Sequence, residues 1–548
     1  MQEKMLLKVN GTIRNYGINS SAKILNLRSK NISDVKLISK YCATKRNYRS
    51  CSGNVYGWSR KMWNEREEIG RKSFRTSTIL PEMPEPRGLP LVGTTFSLIR
   101  AGGATKLHEY VDQRHKELGP VYRERMMAVE AIFVSSPTEF RRIFRLEGSK
   151  PKNFLPHAWI LYNKMRKCER GLLFMEGDEW LSFRRIMNKL LLKSDSDDFM
   201  ITPCKQAAET LVEDFRTYAV KGLPVSELER KLYQWSIEVM LAILVGSTWP
   251  RHKSEILLRT EKLAINLHNI FKYSAQLSLL PAKLAMNLKL PSWTKFVASA
   301  DFALNILRVT VKEMIKLKGN GLIEMLMNEG VLEDDLVRIV VDLILAAGDT
   351  TAHSMQWALF LLGSNRSVQE ELFERLKGAK GESAVEKGVL KGTMKESLRL
   401  YPTAPFLTRC LPEDSVVGGY HVGKGRLILM SLYTSGRDDR NFTNAETFSP
   451  ERWSRNEKGD YKGVLNPHAS LPFAMGARAC VGQKLAEAQL TLTMAEMMKA
   501  FRIECINRDR RLGNIIGKGT EHCEGWKRVV FSFFGQKREN ILSSLINP

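Results

Sequence analysis

Cys480 lies in the run LPFAMGARACVGQKLAEAQL, from Leu471 to Leu490, between Gly476 and Gly482 and behind Phe473 and Arg478. Leu485, Ala486, Gln489 and Leu490 follow at helical spacing, so the sulfur belongs to a tight loop at the start of a helix. The two glycines allow the backbone angles and close approach that let main-chain N–H groups point at sulfur. The positive end of the helix favours the thiolate, the form that binds metal. Arg478, two residues upstream, is spaced to pair with an anion such as a carboxylate on a large cofactor. A lone buried cysteine is usually a small apolar filler, so a metal-ligand reading depends on partners elsewhere in the chain.

Such partners occur. The apolar run Leu336 to Leu362 predicts a long helix, interrupted by Ala346-Ala347-Gly348-Asp349-Thr350-Thr351. Small residues let a flat cofactor lie against the helix, and the polar triplet offers groups that open the backbone ladder and hold water. His353, one turn beyond Asp349, reads as a satisfied core histidine rather than a ligand. Trp180 and Arg184, one turn apart on a predicted helix opening at Gly177, project an indole N–H and a guanidinium that together can hold a buried carboxylate. A stacked surface pair is the alternative. Glu396 and Arg399 stand at i, i+3 before Tyr401-Pro402, close enough for an ion pair, and Phe448-Ser449-Pro450-Glu451-Arg452-Trp453 follows downstream.

The spelling Phe473-x-x-Gly476-x-Arg478-x-Cys480-x-Gly482, with these motifs in this order, resembles the cytochromes P-450 from about Pro81 to the carboxyl end. In that family a cysteine thiolate is the axial ligand of haem. The resemblance implies haem b held by Cys480 as iron ligand, with Phe473 behind it and Trp180, Arg184, Arg409 and Arg478 on the propionates. It implies that Asp349 and Thr350 deliver protons, although Ala347 stands where the family usually has glycine. The implied reaction is monooxygenation, in which one oxygen atom enters a C–H bond and the other leaves as water.

The elements that must carry these groups are helices. From Ser226 to Leu317 the pattern is helical throughout, and only Gly119 to Glu139 and Val417 to Leu432 alternate as strands do. The expected fold is mainly α with a minor β portion, one P-450 haem domain over 81–548. The prolines of Leu80 to Pro90 form a stiff extended lead into it. Ile270 to Trp293 mixes apolar residues with lysines and asparagines. It reads either as a segment dipping into a membrane surface or as a partly exposed helix pair.

Residues 1–50 hold eleven Lys and Arg against Glu3 and Asp34, with hydroxylated residues between, the composition of a mitochondrial transit peptide; 51–80 then reads as a linker. No run of eighteen apolar residues occurs in the leader, so it does not read as a membrane helix. Eight scattered cysteines without a C-x-x-C pair suggest neither a disulfide framework nor a zinc site. The net charge of +25 fits an anionic membrane, an acidic partner or the leader itself, and no nucleic-acid motif accompanies it.

The leader, Tyr433-Thr434-Ser435-Gly436-Arg437-Asp438 and a basic pair before Glu396 resemble the animal mitochondrial branch. That likeness implies a peripheral enzyme on the matrix side of the inner membrane. It also implies electrons from an adrenodoxin-like [2Fe–2S] ferredoxin, reduced by NADPH through a flavoprotein and docked at Lys391 and Lys395, with Lys484 extending the patch. The segments AAGDTTAHSMQWALF and SLPFAMG are similar to the arthropod ecdysteroid 2-hydroxylases, which implies conversion of 2-deoxyecdysone to ecdysone. Two rival readings differ in class. A haem-thiolate sensor without turnover would have no need of Asp349 and Thr350, and a basic nucleic-acid binder would not need the arginine and cysteine motifs.

Overall fold

A computed structural model describes residues 80–127, 129–192, 197–278, 280–377, 384–505 and 529–532. The proposed transit peptide and nearly all of the linker lie outside the described residues. Helices that matter for the site are α1 (Gly177–Leu191), α2 (Leu228–Val245), α3 (Leu263–Ser278), α4 (Glu333–Ser364), α5 (Ala384–Leu400) and α6 (Gln483–Ala500). Their apolar faces meet in one large core. Thirteen residues of α2 are buried, from Leu228 to Val245, and it packs along α4, itself buried from Leu336 to Leu362. A helix buried on nearly all sides needs no wide polar stripe, and the charged residues of α2 and α4 accordingly gather mostly in their first turns, at Glu229 to Lys231 and Glu333 to Asp335.

The β portion is small; β1, β2, β5 and β6 fall in the two stretches that alternate, whereas β3, β7, β8 and most of β4 lie outside them. β1 (Val121–Met126) pairs antiparallel with β2 (Val129–Val134), and β3 (Phe406–Cys410) pairs antiparallel with β6 (Leu427–Ser431). β2 and β6 join in parallel, giving the order β1-β2-β6-β3. β4 (Ser415–Val417) and β5 (Tyr420–Val422) form a hairpin over Gly418 and Gly419, both at positive φ. β7 (Arg502–Cys505) and β8 (Val529–Ser532) make a second two-stranded sheet. No described helix is long and apolar enough to cross a membrane.

One expectation fails in detail. The sequence predicts an interruption at Ala346 to Thr351, yet α4 runs unbroken from Glu333 to Ser364. The polar side chains are satisfied without opening the helix. Thr350 Oγ1 donates 2.8 Å back to the Ala346 carbonyl, and Ser236 Oγ of α2 donates 2.9 Å to the Ala347 carbonyl. Gly348 serves packing instead of bending: a Cβ there would come 3.0 Å from Leu267 of α3 and 3.1 Å from Ile237 of α2.

Beneath the sheet-side core, Glu396 ties α5 to the segment at Arg452. Its carboxylate accepts two bonds from Arg399, at 2.8 and 2.9 Å, and one each from Arg452 Nε (2.8 Å), Trp453 Nε1 (2.9 Å) and the Ser449 N–H (2.9 Å). Glu396 is 0%, Arg399 1% and Arg452 4% exposed. The other guanidinium hydrogens of both arginines go to main-chain carbonyls, including those of Gly436, Ala445, Thr443 and Gly463. Every charge in this cluster is therefore both paired and hydrogen-bonded, the condition under which a buried ion pair holds.

Candidate haem-thiolate site

The cysteine loop closes on itself before it meets anything else. The Cys480 N–H donates 2.8 Å to the Phe473 carbonyl and the Ala479 N–H 3.2 Å to that of Gly476. Gly482 caps α6, so Cys480 sits just ahead of that helix's positive end. As a whole residue Cys480 is exposed, although enough protein surrounds its sulfur for burial to act on the thiol. Burial pushes the thiol up, opposed by a hydrogen bond from the Gly482 N–H and by the nearby Arg184 charge. A metal ion bound there would complete its deprotonation. The two glycines differ in role. Gly476 has φ +83°, and a Cβ on it would lie 2.1 Å from Glu147 Oε1, whereas Gly482 has φ −90° and open space beside it. Gly482 contributes its N–H, which any residue but proline carries.

Three arginines converge on this loop. Arg184 of α1 donates 2.6 Å to the Ala479 carbonyl. Arg478 donates 2.7 Å to each of the Pro151 and Met175 carbonyls, and its guanidinium lies 4.3 Å from the Trp180 ring. Arg409 pairs with Glu147, whose other oxygen accepts 2.8 Å from the Ala477 N–H. Burial, then the Arg409 and Arg184 charges, lowers Arg478 to about 10. Burial also lowers Arg184, against the pull of Cys480. Glu147, paired with Arg409, and Glu176, acting on Arg478 from a distance, are two carboxylates against three guanidinium charges, and among the described residues the buried Arg184 Nε and Arg409 Nη2 have no partner. A cofactor bearing two carboxylates beside a soft-ligated metal fits that excess, so the donor set suits haem.

Phe473, Trp180, Arg184, Arg409, Arg478 and Cys480 are thus brought together, as the sequence implied. Asp349 and Thr350 sit on α4, which packs against α6. Asp349 is buried, its Oδ1 accepting from the Tyr233 hydroxyl of α2, while Thr350 is exposed on the helix. His353 is buried as expected, but it is no bystander: its Nδ1 lies 3.4 Å from Asp349 Oδ1. Glu147, buried at 3%, was not anticipated. Nothing local announces it, since it lies just past the helix Pro137–Leu146 and meets Ala477 from 330 positions away.

Residues 83–516 match the cytochrome P450 family model. The chain belongs to the cytochrome P450 family. This P450 is therefore an oxidoreductase of the monooxygenase class, with haem iron on a cysteine thiolate. It is 39% identical over 449 residues to cytochrome P450 315a1, mitochondrial, of Drosophila melanogaster, covering 78% of this chain and 84% of that protein. It is 25% identical over 437 residues to the mouse 1,25-dihydroxyvitamin D(3) 24-hydroxylase, mitochondrial, covering 77% and 83%. To the hamster (Mesocricetus auratus) cytochrome P450 11B2, mitochondrial, it is 25% identical over 459 residues, covering 80% and 89%. The expected fold is the P450 fold, mainly helical with small sheets, and the chain carries it.

Proposed function

We propose that this P450 hydroxylates a steroid in mitochondria, converting 2-deoxyecdysone to ecdysone, with electrons from a small acidic [2Fe–2S] ferredoxin that an NADPH-dependent flavoprotein reduces. The observation that carries the substrate is the likeness of Ala346–Phe360 and Ser470–Gly476 to the arthropod ecdysteroid 2-hydroxylases. The 39% identity to a mitochondrial arthropod P450 supports it. Another sterol remains the second reading, favoured by the vitamin D relative. The test is product analysis of the purified enzyme against a panel of deoxyecdysteroids with ferredoxin and its reductase. Hydroxylation at carbon 2 is expected, and turnover of other sterols alone would overturn the assignment.

Haem, when bound, supplies oxygen activation and insertion of one oxygen atom into a C–H bond. The chain does the rest. Cys480 Sγ would ligate iron, with the Gly482 N–H and the start of α6 moderating its charge. Arg184 Nε and Arg409 Nη2, buried and unpartnered, would take the propionates, with Arg478 stacked on Trp180 beside them. Thr350 Oγ1 donates 2.8 Å to the Ala346 carbonyl at rest, so to relay a proton its hydroxyl must turn from that carbonyl to the reacting side. Asp349 carries the proton that Thr350 passes on. Exposed Ile265, Leu284 and Leu288 on and after α3, beside Lys283 and Lys289, suit contact with an anionic membrane surface.

Ferredoxin would dock on α5. Lys391 is exposed, 3.9 Å from Glu487, while Lys395 is half-buried with its Nζ 5.4 Å from the Trp453 ring and 5.8 Å from that of Tyr461. Glu396 faces inward from the same turn. Because Lys395 also holds aromatic rings, Lys391→Glu is the cleaner variant, with Lys391→Glu plus Lys395→Glu as the stronger one. Reversing these charges should raise the ferredoxin concentration for half-maximal activity roughly 10-fold at low ionic strength, with less effect in high salt. Unaltered ferredoxin titration in both variants would put the docking face elsewhere.

A further inference from the structure

Asp349 opens onto a chain of titratable groups that leads away from the cysteine loop. Its Oδ1 accepts from Tyr233 Oη, and Tyr233 Oη lies 3.4 Å from His353 Nδ1. His353 Nδ1 is also 3.4 Å from Asp349 Oδ1 and 3.1 Å from the Asp349 carbonyl, and the Tyr233 and His353 rings meet edge-on at 5.7 Å. One turn earlier on α2 stands Glu229, which holds His268 Nδ1 of α3 at 2.9 Å. The Glu229 and His268 side chains are 39% and 34% exposed, so this end meets solvent. Glu229 also feels the charges of His353 and Asp349.

Burial of a histidine, His353 being 8% exposed, is costly unless its charge or hydrogen bonds are answered. Here they are. Burial alone would lower His353, but the Asp349 charge and its hydrogen bonds outweigh burial and raise the imidazole to about 9. A proton is therefore stored on His353 at neutral pH, one helical turn from the acid that would deliver it.

We propose that His353, with Tyr233, Glu229 and His268, is the proton inlet of this enzyme. The proposal rests on the reading that Asp349 and Thr350 deliver protons. A proton enters from solvent at His268 and Glu229 and crosses to His353. Glu229 and His353 are linked by charge and share no direct hydrogen bond among the described residues, so this hop is assigned to water between them. His353 Nδ1 then gives the proton to Asp349 Oδ1, with Tyr233 Oη holding that oxygen in line. The neutral imidazole left behind keeps its Nε2 proton and is vacant at Nδ1, where the water brings the next proton from the Glu229 side. Two such passages supply the two protons that monooxygenation consumes with two electrons and dioxygen. These groups act through Asp349 and are positioning residues.

The test compares His353→Gln, Glu229→Gln and Thr350→Ala with the parent, using haem-loaded protein, ferredoxin and reductase. In His353→Gln and Glu229→Gln, product formed per NADPH should fall about 10-fold or more, within reach of the 100-fold typical of a positioned proton-transfer group. The missing electrons should appear as peroxide, and the ratio of rates in H2O and D2O should rise. The carbon monoxide spectrum, substrate binding and peroxide-supported turnover should persist. A readout independent of activity follows from the raised imidazole. His353 contributes stability that is complete below its unfolded value near 6.5 and is lost as pH rises through about 9, so His353→Gln should flatten the thermal midpoint across that window. Parent-like coupling and isotope ratio in Glu229→Gln and His353→Gln, with Thr350→Ala uncoupled, overturns the inlet alone. Parent-like coupling in Thr350→Ala overturns the Asp349 and Thr350 relay and the inlet with it. Should His353→Gln fail to fold, Glu229→Gln at the half-exposed end decides the matter by the same isotope ratio.

Discussion

Glu396→Ala is expected to leave little or no folded protein. Arg399 and Arg452 would remain buried at 1% and 4% exposure with their shared carboxylate gone, and Trp453 Nε1 and the Ser449 N–H would lose their acceptor. Removing one partner of a buried ion pair costs roughly 3–5 kcal/mol, and a whole domain is stable by only about 5–15 kcal/mol. Glu396 serves two arginines, so the upper end of that range applies. Glu396→Gln should be milder, because its amide oxygen still accepts from one arginine while carbonyls hold the rest. Soluble yield and urea unfolding measure both. A Glu396→Ala protein within about 1 kcal/mol of the parent would show that the carbonyl cage alone sustains the arginines.

Cys480→Ser should abolish the thiolate-type Soret band of the reduced carbon monoxide complex and all turnover, since a hydroxyl is a poor soft donor to iron. The loop itself should survive. Apart from the bond from the Gly482 N–H to sulfur, which a serine oxygen can also accept, its hydrogen bonds run through the Cys480 N–H and through Ala477 and Ala479. Thermal unfolding of the haem-free variant should therefore match the haem-free parent, while the haem-loaded midpoint falls by the stabilisation that iron ligation adds. A retained thiolate band would reassign the ligand.

Most of the fold was legible because the elements that build it announce themselves locally. Helical periodicity marked α2 and α4, alternation marked β1 and β2, and Tyr401-Pro402 marked the end of α5. The cofactor side chains were legible through spelling, and the Glu396 cluster through two motifs that must meet. What stayed hidden depends on encounters between distant segments. Glu147 gains its meaning only against Gly476 and Ala477, and Tyr233 sits in a helix with no catalytic spelling. His353 looked like an ordinary core residue because its link to Asp349 is completed by Tyr233, which comes from α2. The expected break in α4 did not occur because Thr350 and Ser236 satisfied carbonyls without opening the helix.

The cysteine loop is fastened by Glu147, by the carbonyls of Pro151 and Met175, and by Arg184, each about three hundred positions earlier in the chain. A ribosome releases those fasteners long before it reaches Cys480. The front of the chain must therefore wait, Glu147 and Arg184 without these partners, for a loop that arrives near the end of the sequence. Contacts of such span form slowly, so cofactor capture belongs to the last stage of maturation, and a shortage of cofactor would be met by nearly finished molecules rather than by nascent ones.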